Sequence, residues 1–66
     1  MPITGLDLRA ERRRADITVT EIAARMGVSR QTVHVLEKSA VIKVEREAQF
    51  RRALSAAIQA AREAVA

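Results

Sequence analysis

Few side chains in this sequence are equipped to make or break bonds. His34 is the single histidine and there is no cysteine, so a thiolate nucleophile and a zinc ligand set are both missing. No nucleophile–base pair stands out around His34, and no enzyme, metal or cofactor is expected. The chemistry that the chain does carry is cationic. Twelve lysines and arginines against eight acidic residues give a formal charge of +4. Most are arginines, with Arg12, Arg13 and Arg14 in a row. Such a row suits a polyanionic partner and equally suits a solvated helix face. Phe50 is the sole aromatic residue, which argues against stacking RNA or single-stranded bases on rings.

The elements that must position these charges are helical. The 66 residues make one domain, 1–66. A chain of this length buries only about 60% of its unfolded surface, so a dimer is the natural way to extend the core. No apolar run approaches ~18 residues, and the N-terminus lacks the features of a signal peptide. A cytoplasmic, nucleoid-associated protein without a membrane or small-molecule partner is expected. Residues 1–5 read as a short flexible leader, and residues 6–14 as a first helix with Asp7 at its start and arginines at its end. Thr18 followed by Glu21 is a capping-box signature for a second helix carrying Ile22, Ala23 and Met26 on one face. Gly27 ends that helix at positive φ. Ser29 caps a third helix that buries Val33 and Leu36. An apolar connection, residues 39–44, leads to residues 45–65, one long alanine-rich helix or two abutting ones. The fold class is all-α: a compact four- to five-helix domain with a helix-turn-helix at 18–38 and an extended C-terminal helix.

The stretch from Thr18 to Ser39, TVTEIAARMGVSRQTVHVLEKS, carries the most information. Two helices of about eight residues flank a tight turn at Gly27, Ala23 is small where they approach, and Ile22, Met26, Val28, Val33 and Leu36 fall inward. The outer face of the third helix stays polar and free to enter a major groove. At these residues the chain resembles the phage repressor/Cro-like (XRE-type) helix-turn-helix family, from Leu8 through Leu54. Leu8 and Arg12 match its first helix. Thr18, Glu21, Ile22, Ala23, Gly27, Val28, Ser29, Val33, Leu36 and Glu37 match its central signature. Val19 and the weakly charged 40–44 loop depart from it.

The resemblance implies that Arg30, Gln31 and Val35 read base edges, flanked by Thr32 and His34. Arginine pairs bidentately with guanine and glutamine with adenine, while valine can touch a thymine methyl. It implies phosphate contacts at Thr18, Ser29 and Lys38, and a structural ion pair between Arg12 and Glu37. Double-stranded DNA with an inverted repeat is the implied partner, and a homodimeric repressor or autoregulator of a phage, plasmid or other mobile-element operon the implied role. Val41, Ile42, Val44, Ala57, Ile58, Ala61 and Val65 are the expected dimer interface. The alternatives are a DNA-binding antitoxin that also holds a toxin, and an adaptor that has lost DNA binding.

Overall fold

The first helix starts earlier than its leucines suggest. In the computed structural model, which describes residues 3–65, the helices are α1 (Gly5–Arg14), α2 (Val19–Met26), α3 (Arg30–Lys38) and α4 (Val44–Ala64). Residues 1 and 2 of the expected leader lie outside the described residues. Thr4 and Gly5 belong to the helix instead. The Thr4 side chain accepts from the Asp7 backbone N–H, and the Thr4 N–H donates to Asp7 Oδ2 at 2.9 Å, a complete capping box. The Thr4 backbone N–H, and after it the Thr4 hydroxyl, hold the Asp7 carboxyl below the usual carboxylate range. This cap is therefore intact at neutral pH and is lost as pH falls through that lowered range.

The box expected at Thr18 is only half made. Thr18 Oγ1 accepts from the Glu21 N–H at 3.1 Å, but the Glu21 carboxylate pairs with Arg25, also at 3.1 Å. An i,i+4 pair on an exposed helix face competes successfully for that side chain.

Two left-handed residues set the turns. Gly27, at φ 72°, ends α2. Asp16, at φ 61°, does the same work after α1 without being glycine. Its N–H donates to Arg13 O at 3.0 Å and the Ile17 N–H donates to Arg12 O at 3.1 Å, a Schellman motif that drops Ile17 into the core. Aspartate tolerates this region better than most residues, whereas a β-branched side chain there is a true outlier. Asp16→Val is expected to cost about 1–2 kcal/mol and Asp16→Gly to stay close to wild type. Urea unfolding of the two variants checks this. Equal midpoints for both would mean that the left-handed turn carries no strain.

The core is built from every helix. Leu8, Ile22, Val33 and Phe50 are fully enclosed, joined by Ile17, Ala23, Ala53 and Leu54. α4 lies chiefly against α2, and α1 against α3. Alanine-rich sequence with no internal breaker makes α4 one helix of 21 residues, not two. Ile42 and Ala57, expected at a dimer interface, lie in this core at 9% and 1% exposure. The connection turns Ile42 inward as it enters α4, and Ala57 closes the end of the core, so both are spent within one chain.

Candidate nucleic-acid interface

α3 is presented by what holds its inner side. Ser29 Oγ accepts from the Thr32 N–H at 3.1 Å, and the two hydroxyls lie 2.9 Å apart. This caps α3 and fixes the angle at which it leaves the Gly27 turn. Val33 and Glu37 are its buried residues, with Leu36 packed partly against the core. The outward strip is then Arg30, Gln31, His34, Val35 and Lys38, all exposed. Thr32 is half-buried and engaged with Ser29, a role that its place in the motif did not announce. Thr18 and Ser29 stand exposed, each with its oxygen used as a cap. A hydroxyl that accepts as a cap still has its own proton to donate.

α1 grips α3 at two points. Arg12 Nε donates to Glu37 Oε2 at 2.7 Å and Arg12 Nη2 to Glu37 Oε1 at 3.0 Å, a bidentate pair. Arg12 Nη1 donates in addition to the Ile17 carbonyl at 2.8 Å, so one guanidinium ties α1, α3 and the α1–α2 turn together. The side chains are 12% and 4% exposed, and among the described residues no buried side-chain polar atom is left without a partner. At the second point the Gly5 N–H donates to Ser39 O at 2.8 Å. The N-terminus of α1 thereby meets the C-terminus of α3, satisfying orphan backbone groups of both and setting opposite dipole ends together.

Arg9, which the sequence pattern did not single out, shares a surface depression with Arg12, His34, Glu37 and Lys38. Its signal was present: it precedes Arg12 by one helical turn and so faces α3 as Arg12 does. Arg13 and Arg14 are exposed on α1. Val41, Val44, Ala61 and Val65 are also exposed and Ile58 is half-buried, whereas Ile42 and Ala57 are not on the surface. Among the described residues no cluster of three or more His, Cys, Asp or Glu side chains is placed to hold a metal, and no helix is long and apolar enough to cross a membrane.

Comparison with known proteins agrees with the helix pair but points to a different family from the one that the residue signature resembles. Residues 8–46 match the family described as Sigma-70, region 4, a helix-turn-helix DNA-binding region. No curated protein and no solved structure matches the chain. The match supports a helix-turn-helix DNA-binding family but not specifically the phage repressor/Cro-like type that the residue signature resembles. A small residue in α2, glycine at the turn and an apolar residue in α3 suit any two helices that meet at so short a turn, so they mark the motif and not one lineage. With residues 8–46 of its 66 matched, a stretch that runs from α1 through both helices of the motif, the chain belongs to the Sigma-70, region 4 family of helix-turn-helix DNA-binding regions.

Proposed function

We propose that the protein is a sequence-specific transcriptional regulator that binds an inverted repeat as a homodimer and represses its own operon. The observation that supports this reading best is the outward strip of α3. Arg30, Gln31, His34 and Val35 project from a helix whose inner side is fully committed to the core, the Ser29 cap and the Arg12 pair. Arginine and glutamine at the start of such a helix have the donors and acceptors to distinguish guanine and adenine in the major groove. Lys38 and the hydroxyls of Thr18 and Ser29 supply contacts to the flanking phosphates.

Two-fold pairing follows from reach. α3 has nine residues and is about 13 Å long, enough to cover only a few base pairs. Specific affinities of about 10⁻⁸–10⁻¹¹ M need a larger footprint. A dimer doubles it and sets half-sites roughly 34 Å apart. Val41, Val44, Ile58, Ala61 and Val65 are the residues of the expected interface that stay outside the core and serve that contact.

Selection of bound sequences from a random double-stranded pool tests the proposal. The expected result is an inverted repeat with half-sites about one helical turn apart. Within it, Arg30→Ala and Gln31→Ala should each lose about 1–3 kcal/mol and relax the preference at one position per half-site. Enrichment of an unpaired half-site would remove the dimer, and no enrichment at all would remove sequence-specific binding.

A further inference from the structure

Along one edge of the reading strip, Arg9 and Lys38 carry two positive charges that reading base edges does not require, and His34 adds a ring N–H donor. Arg9 on α1 and His34 and Lys38 on α3 line one depression together with Arg12 and Glu37. The single carboxylate there is not available to them, since Glu37 is 3% exposed and both of its oxygens are held by Arg12. Arg9 is exposed and has no ion-pair partner among the described residues, in contrast to Arg12, Arg25 and Arg51. Uncompensated like charges gathered at one spot repel one another unless an anion arrives.

Position identifies that anion. Arg30, His34 and Lys38 are spaced four residues apart, so they form one edge of α3, and α1 brings Arg9 to the same edge. A helix seated in a groove about 12 Å wide has its edges against the walls, and the walls are the phosphate backbones. We infer that Arg9 makes a backbone-phosphate contact of its own on double-stranded DNA, next to the one made by Lys38 and His34, so that the binding site extends from the helix-turn-helix onto α1. The inference rests on α3 entering the major groove. Its consequence is that α1 contributes affinity without sequence preference, because a phosphate contact carries no base information.

The test is the salt dependence of binding for wild type and Arg9→Ala on the selected site and on an unrelated duplex. Each phosphate contact adds about 0.9 to the slope of log affinity against log salt. Wild type should therefore lose about 3.5-fold more affinity than the variant between roughly 50 and 200 mM salt, on both duplexes alike. Arg9→Lys should keep most of the slope, and the base preferences selected by Arg9→Ala should equal those of wild type. An unchanged slope in Arg9→Ala, with specific binding intact, overturns the α1 contact while leaving the reading role of α3 standing. A changed base preference would instead make Arg9 a reader of sequence and overturn the phosphate assignment. Wild-type protein with no preference for any duplex would strike at the DNA-reading proposal itself.

Discussion

Gly5→Ala is expected to lower the melting temperature by 10 °C or more, about 2 kcal/mol at the usual sensitivity of so small a domain. A methyl group there would run into the Leu36 carbonyl oxygen and lie 2.6 Å from the Glu37 carbonyl carbon and 2.7 Å from its oxygen. All three atoms are backbone, so no side chain can swing aside. Relief requires α1 to move off α3, which stretches the Gly5–Ser39 hydrogen bond and strains the Arg12–Glu37 pair beyond it. Overpacking of this kind costs about 1–3 kcal/mol or more. The opposing gain, alanine over glycine in a helix, is at most ~1 kcal/mol and smaller at a helix end. The clash wins, and it does so in a domain whose whole stability is about 3–10 kcal/mol at the usual value per residue. Leu6→Ala, one residue on and 64% exposed, is the control and should change stability by about 0.5 kcal/mol or less. Thermal unfolding followed by helix signal decides. A Gly5→Ala variant that melts with wild type would show that the two backbones are not in enforced contact.

Gly5 also shows where the sequence stops being legible. Its role depends on α3, more than thirty residues away in the chain, and no local pattern of glycine distinguishes a loose leader from a backbone-to-backbone contact. The same holds for Asp16. Sequence reasoning looks for glycine at positive φ, and here aspartate occupies the position, so the turn that aims Ile17 into the core went unmarked. Ile42 and Ala57 were legible as apolar but not as inward, because whether an apolar residue serves its own core or a second copy is settled by packing. What local patterns do encode came through: the α2–Gly27–α3 unit and the long final helix.

The candidate site was legible to the same depth. Periodicity separates Val33 and Leu36 from Arg30, Gln31, His34 and Val35, and that separation is what the structure presents. Arg9 was missed because its meaning lies between helices. On α1 alone it is one more arginine; only the docking of α1 on α3 sets it beside His34 and Lys38.

Glu37→Gln is expected to cost about 3–5 kcal/mol, the range for removing one partner of a buried ion pair. The glutamine keeps the shape of the side chain, so the loss measures charge and not a cavity. Arg12 would remain 88% enclosed, bonded to the Ile17 carbonyl, with its counter-charge gone. Against a total stability of about 3–10 kcal/mol, this removes from roughly a third to the whole of the margin. Surface pairs set the scale of contrast. Arg51 bridges Glu11 at 2.9 Å and Glu47 at 3.7 Å, yet it is 47% exposed, and losing it should cost no more than about 1 kcal/mol. The double variant Arg12→Met, Glu37→Leu separates the worth of the pair from the penalty of breaking it. Apolar replacement of both partners of a buried pair is often neutral or stabilising, so most of the lost stability should return. Urea midpoints of the three proteins carry the test, and DNA affinity measured well below each melting temperature adds a second readout. If the double variant folds but binds DNA poorly, the pair serves to orient α3 as well as to hold it. An unchanged midpoint in Glu37→Gln would refute the buried-pair account, since no 4% exposed carboxylate holding an arginine at 2.7 Å should be lost without cost.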